Sequence, residues 1–176
     1  MFISKFGSIN KEDIFDFNPN LPEEYVTFLE KYNGGETPET SFSVEKESSD
    51  IVAFYGIGDV KYSLATVKII TYEGMDFLPI AFDSFGNQIV ISMDSGKIGF
   101  LNHENRKIEI IAENLKAFFD ITKSEKVSDK YTKSISEREN DLKARGRESI
   151  ITDELRKLWQ EEIYKYSQIH QEEVIL

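Results

Sequence analysis

Leu21-Pro-Glu-Glu-Tyr-Val-Thr-Phe-Leu-Glu-Lys-Tyr-Asn-Gly-Gly35 is a helix written with its own start and stop. Pro22 suits a first helical position, where its missing N–H costs nothing. Glu23 and Glu24 follow in the first turn, at the positive end of the helix dipole. Tyr25, Phe28, Leu29 and Tyr32 fall on one face at helical spacing. Asn33-Gly34-Gly35 then supplies the left-handed backbone that ends a helix. An amphipathic helix of this kind needs a partner surface, and the rest of the chain supplies strands.

Outward from this helix, Ile9–Phe17 is a polar–apolar mixture that suits a short helix or an edge segment. Ser41–Val44 reads as a short strand. Ile51-Val-Ala-Phe-Tyr-Gly-Ile57 is a β-rich apolar run that reads as a central strand, buried on both faces near its middle. Lys61–Tyr72 places Tyr62, Leu64, Ala65, Ile69 and Tyr72 at near-helical intervals, while Val67, Ile69 and Ile70 also suit a strand. Phe77–Phe82, Gln88–Met93 and Lys97–Leu101 are separated by the turns Asp83-Ser-Phe-Gly-Asn87 and Asp94-Ser-Gly96, the pattern of an antiparallel meander. Lys107–Ile111 adds an edge or half-buried strand, and Ala112–Thr122 a short amphipathic helix. The expected class is α+β: a central antiparallel sheet with flanking helices over residues 1–122.

Residues 123–176 have a different texture and are expected to form a charged, mostly helical C-terminal extension. Ser134-x-x-Glu137 and Ser136-x-x-Glu139 are both candidate capping boxes. Ile151, Leu155, Leu158, Trp159, Ile163 and Tyr166 form a continuous helical stripe. Packing within the chain is the commoner fate of such a stripe; a partner helix, or a homo-oligomer built through it, is the other.

The chain has 176 residues, thirteen Phe, eight Tyr and no Cys, enough apolar content to build a core. The absence of cysteine removes disulfides, thiolate catalysis and cysteine-based metal sites. No signal-peptide layout and no membrane-spanning apolar run is present, so a cytoplasmic protein is expected. The net charge of −11 is unevenly spread: residues 1–122 hold 10 Lys+Arg and 20 Asp+Glu, residues 123–176 hold 11 and 12. The acidic part repels nucleic-acid phosphates and attracts basic partners.

The search for catalytic chemistry finds little. His103 and His170 are the two histidines, and neither has metal-ligand spacing. His103-Glu104 is a candidate acid/base pair, against the plainer reading of a turn histidine bonded to backbone. Gly56-Ile-Gly58 and Asn33-Gly-Gly35 lack the context of a phosphate loop and read as close-packing positions. Asp83 and Asp94 sit where an acid bonds its own turn. No cofactor and no metal is expected, and binding is favoured over catalysis.

Two segments together resemble the SUKH superfamily. One is Leu21-Pro22 to Gly35. The other is Leu78-Pro79-Ile80-Ala-Phe82-Asp83 with Gly86-Asn87 and the strand after it. Ile98–Leu101 with His103-Glu104, and the helix with Phe118-Phe119, also stand in the family's order. The resemblance covers about residues 5–122. It implies a SUKH-like α+β fold. It also implies an immunity or antitoxin-type role, in which the protein neutralises a toxin domain, often a nuclease, by protein–protein interaction. The alternative is an intracellular scaffold or regulator of the same fold; an enzyme acting through carboxylates ranks last. The motif residues Leu21, Pro22, Tyr25, Phe28, Leu29, Asn33, Gly34, Gly35, Pro79, Ile80, Asp83, Gly86 and Asn87 are expected to be structural. The candidate partner-binding acids are Glu23, Glu24, Glu36, Glu39, Asp59 and Asp83, which would meet a basic surface. The expected partner is a protein, neither nucleic acid nor membrane.

Overall fold

The computed structural model describes residues 1–45, 47–130 and 133–176, with the backbone alone at 129–130. The chain divides into two compact units: unit 1 comprises 1–124 and 172–176, and unit 2 comprises 125–171.

Unit 1 begins with β1 (Phe2–Lys5), α1 (Lys11–Phe17) and α2 (Glu23–Tyr32). Then come β2 (Gly35–Glu36), β3 (Thr40–Val44), β4 (Glu47–Asp50), β5 (Ala53–Phe54) and β6 (Ile70–Tyr72). The meander follows as β7 (Met75–Phe82), β8 (Gln88–Ser92), β9 (Ile98–Leu101) and β10 (Ile108–Ala112), then α3 (Leu115–Ile121) and β11 (Thr122–Ser124). Among the described residues the large sheet has the order β10-β9-β8-β7-β5-β2-β1-β12, with β6 also on β7; β12 is Glu172–Glu173. A smaller sheet, β11-β3-β4, stands beside it. Every named pairing is antiparallel. The α+β class with a central antiparallel sheet is therefore the observed architecture.

Helix α2 turns an apolar face inward, burying Tyr25, Val26, Phe28, Leu29 and Tyr32. The Phe28 ring centre lies 5.2 Å from Phe54 and 5.7 Å from Phe119, so α2, β5 and α3 share one aromatic core. Phe42 of the small sheet joins it through Phe100 at 5.5 Å and Phe118 at 5.8 Å. Ring pairs at these distances add to the burial of large apolar area. Pro22 sits one position earlier than expected: with φ −56° and ψ 139° it is the N-cap, and its carbonyl accepts from Tyr25 and Val26. Proline is tolerated there for the same reason as at the first turn, since that N–H has no helical partner.

The stop signal behaves as read. Asn33 is left-handed (φ 46°) and its N–H bonds Leu29 O at 2.8 Å. The Asn33 amide then clamps the next loop: Oδ1 accepts from Ile57 N at 2.8 Å and Nδ2 donates to Ile57 O at 3.0 Å. A Cβ on Gly56 would lie 2.0 Å from Asn33 O, and one on Gly34 2.7 Å from the Gly56 nitrogen. These glycines are therefore demanded by backbone meeting backbone.

Pro79 lies inside β7, between β5 and β8, where a missing N–H would break the ladder. The register shifts there: Pro79 faces Val90 and Ala81 faces Ile89, leaving Ile80 as the extra residue of a bulge. The bulge turns Ile80 O toward Tyr55 N (2.9 Å) and seats its side chain, fully buried, in the core.

Residues 61–72 depart from a helical reading. The structure has one 3-10 turn, Leu64–Thr66, and strand β6. Gly56 N bonds Tyr62 O at 2.9 Å and Leu64 N bonds Gly56 O at 2.7 Å, which pins the chain extended. The edge of β7 left open by short β5 then recruits Ile70–Tyr72. Strand β1 escapes the sequence reading altogether, being four residues long and paired only with distant segments.

Unit 2 contains α4 (Val127–Lys130), α5 (Ile135–Ala144) and α6 (Asp153–Ser167). Ser134 and Glu137 form a reciprocal capping box at the start of α5. No residue of α5 or α6 is buried. The boundary expected at residue 122 lies two residues early, and the last five residues belong to unit 1 rather than to the extension. Short β12 carries no strand signal of its own; its pairing with β1 decides the matter.

Candidate functional site

The acids expected to meet a partner do not form one cluster. Glu23 and Glu24 stand at the N-terminus of α2, and Glu36 lies past its C-terminus. The helix between them is ten residues long, roughly 15 Å at helical rise.

At the first end lies an open cleft of about 330 Å³ lined by Pro22, Glu23, Glu24, Ile91, Met93, Asp94, Ser95, Gly96 and Asn114. Its acids come from two places. Glu23 and Glu24 project from the first turn of α2. Asp94 comes from the β8–β9 turn, which Gly96 closes with φ 72° and a bond from its N–H to Ser92 O at 3.0 Å. Glu24 accepts a hydrogen bond from Lys116 N at 3.2 Å, which joins α3 to this corner. Among the described residues no histidine, lysine or arginine lines the cleft. Three acidic residues and the apolar Ile91 and Met93 line one concave surface. That chemistry suits the head and stem of a lysine or arginine. Asp94 was legible in sequence only as a turn former, because its nearness to α2 is tertiary.

At the other end Glu36 is already engaged. Its carboxylate accepts from Lys61 Nζ at 2.5 Å. That hydrogen bond is the main reason the Lys61 pKa is raised above the ordinary lysine value. Asp59 stands exposed two residues before Lys61, and Glu39 is exposed in the turn before β3 with φ 56°. Glu36 therefore presents a pair rather than a free charge.

Asp83 corrects the expectation that it meets a partner. It is 3% exposed. Its Oδ1 accepts from Phe85 N at 2.9 Å and Asn87 N at 2.7 Å, and its Oδ2 from Ser49 Oγ at 2.6 Å and Asn87 Nδ2 at 2.7 Å. Burial pushes its pKa up, but these donors outweigh burial and hold it below the ordinary aspartate value. It organises the β7–β8 turn. Asn87 extends the network, since its Oδ1 accepts from His103 N at 3.0 Å and contacts His103 Nδ1 at 2.8 Å. Because the Asn87 amide nitrogen faces Asp83, His103 Nδ1 must be the protonated nitrogen of that contact. His103 is thus tied to the β7–β8 turn through Asn87. The same turn holds up Phe85, 69% exposed, a surface aromatic that sequence reading passed over.

Among the described residues no group of three His, Cys, Asp or Glu side chains is placed to hold a metal ion. Among them also, no helix is long and apolar enough to cross a membrane.

Comparison with known proteins places this fold. The family model SUKH_6, SMI1-KNR4 cell-wall, matches residues 16–119. The SPbeta prophage-derived uncharacterized protein YokK of Bacillus subtilis (strain 168) is similar to the chain, at 29% identity over 127 residues. That match covers 57% of this chain and 66% of YokK, just short of two thirds of its length. No solved structure matches. With its Leu-Pro helix, Asn-Gly-Gly stop, bulged proline strand and Asp/Gly-Asn turn all inside the matched stretch, the chain belongs to the SMI1-KNR4 (SUKH) family, whose members include immunity proteins and typically bind other proteins.

Proposed function

We propose that the protein is a cytoplasmic immunity protein that neutralises a toxin domain by binding it, without turnover and without a cofactor. The observation that carries this reading is where the charge sits. Unit 2 holds ten Lys+Arg and ten Asp+Glu, which leaves eleven and twenty-two on unit 1, so the entire net charge of −11 belongs to unit 1. The α2 cleft gathers Glu23, Glu24 and Asp94 on that unit. Nuclease domains are basic because they grip phosphates, and an acidic inhibitor both imitates that charge and associates quickly. Glu23 and Glu24 are the first contact residues; Glu39 and Asp59 extend the acidic surface.

The test is titration of the purified chain against the toxin domain encoded beside its gene. Saturable binding that weakens with salt is expected, together with protection of growth on co-expression. The double variant Glu23→Lys/Glu24→Lys should slow association about tenfold or more at low salt, as loss of steering does. A chain that neither binds nor protects ends the proposal. A second reading, a scaffold or regulator of the same fold, is favoured by α6, where Leu158 is 61% and Tyr164 69% exposed. Partner capture that needs residues 125–171 and ignores the Glu23/Glu24 variant would select it.

A further inference from the structure

The large sheet is completed by residues that arrive only after the whole of unit 2. The chain leaves unit 1 at Ser124, whose Oγ accepts from Phe2 N at 2.9 Å. It returns at Glu172 and Glu173, and Glu173 stands opposite Phe2 in the ladder. Exit and return therefore flank one residue of β1.

The returning segment is held as a bound peptide would be. Its register with β1 has two pairs, Phe2↔Glu173 and Ile3↔Glu172. Val174 N donates to Met1 O at 2.8 Å. Ile175 N donates to the Tyr32 hydroxyl at 2.9 Å, and Ile175 O accepts from Lys31 Nζ at 3.0 Å. Lys5 pairs with Glu172 at 2.7 Å. Val174 and Leu176 pack against the apolar core, while Ile175 between them is 66% exposed. That in–out–in alternation is the period of a strand. The receiving side consists of the β1 edge, Lys5, Lys31, Tyr32 and an apolar seat. Main-chain pairing for affinity and alternate side-chain seats for selectivity is how sheet edges bind extended segments.

We propose that this edge is a peptide-binding site which the chain fills with its own tail, and that it accepts from a partner protein an extended segment of the same chemistry, acidic residues followed by alternating aliphatic ones. The tail is replaceable because every contact named for it lies in the short stretch from Glu172 to Leu176: two register pairs, one further backbone bond to Met1, the bonds of Ile175 to Tyr32 and Lys31, an exposed ion pair and two partly buried apolar side chains. The β7–β8 ladder, by contrast, runs five pairs through the middle of the core. Covering an edge with a short, acidic strand also guards β1 against indiscriminate pairing. A partner strand must compete with an occupant whose tether keeps it at a high effective concentration.

A specific protease site inserted between Gln168 and Ile169 tests this on the intact, already folded chain. After cleavage and dilution the tail is expected to leave while the near-ultraviolet circular dichroism persists. A labelled peptide of residues 171–176, Gln-Glu-Glu-Val-Ile-Leu, should then bind saturably. The uncut chain should bind it weaker by roughly tenfold or more, because the tethered tail competes. Tyr32→Phe should weaken binding to the cut chain, and a peptide carrying Asp in place of Val174 and Leu176 should not bind. Three results would overturn the proposal: loss of tertiary structure when the tail leaves, a tail that neither leaves nor exchanges with the label, or equal binding by cut and uncut chains. A folded, empty chain that ignores the peptide would do so as well.

Discussion

Unit 1 and unit 2 are stabilised by different physics. Unit 1 is organised round a continuous apolar core in which Tyr25, Phe28, Phe42, Phe54 and Phe118 are almost wholly buried. In unit 2, neither α5 nor α6 buries a residue, and the helices are linked by charge. Arg138 pairs with Glu162, and Arg156 Nε with Glu139 Oε1 at 2.6 Å. The Arg138 guanidinium lies 5.9 Å from the Trp159 ring centre. The hydrogen bond from Arg156 holds the Glu139 carboxyl below its ordinary pKa. The lesson is that short helices, marginal on their own, can be held by caps and by charged contacts to one another, whereas a core needs apolar residues brought from several elements. Unit 1 is acidic and tightly packed; unit 2 is charge-balanced and solvated.

The largest effect that would sharpen this contrast is a cut into the shared aromatic core. Phe28→Ala should destabilise unit 1 by about 3–5 kcal/mol, the range for removing a buried ring, read by urea denaturation. A loss as small as that of a surface change would mean that the core is not organised round this ring.

Next comes Asp83. Its native pKa is depressed, so it stabilises the fold above the ordinary aspartate pKa of about 4, and that contribution fades as pH falls through the native value. Asp83→Asn should cost on the order of 1–3 kcal/mol at neutral pH, the penalty for leaving buried donors poorly matched. It should also flatten the acid limb of the stability profile. A variant as acid-sensitive as the parent would show that the network does not hold the carboxylate.

Tyr25→Phe should be smaller and of opposite sign. The Tyr25 hydroxyl is buried without a hydrogen-bond partner among the described residues, and burial drives its pKa far upward. Removing it should leave stability unchanged or raise it by up to about 1 kcal/mol. Clear destabilisation would reveal a partner for the hydroxyl.

The smallest effect distinguishes the units directly. Raising salt to about 1 M contracts screening to roughly 3 Å. Amide exchange in α5 and α6 should then quicken, while that of β7 and β8 stays unchanged. Equal responses would erase the distinction.

Much of this was legible in the residues. The α2 start acids, apolar face and Asn-Gly-Gly stop all appear where local chemistry puts them, displaced only by Pro22 moving to the cap. The meander was legible because Asp83-Ser-Phe-Gly-Asn87 and Asp94-Ser-Gly96 are turn signals between β-rich runs. The candidate site was legible in part. Glu23 and Glu24 reach the surface of a cleft, but Asp83 shows that an acid in a turn can be consumed by the turn.

What the residues alone determine is what depends on neighbours a few positions away: helix spacing, caps, turns and the acidity of the first part of the chain. Tertiary structure decided what depends on pairing across long separations. It extended residues 61–72 along an open strand edge, set the bulge that admits Pro79, and brought Asp94 to α2. It also returned residues 172–176 to β1. A two-residue strand has no signal of its own, because its hydrogen bonds and its apolar seat are supplied by the other end of the chain.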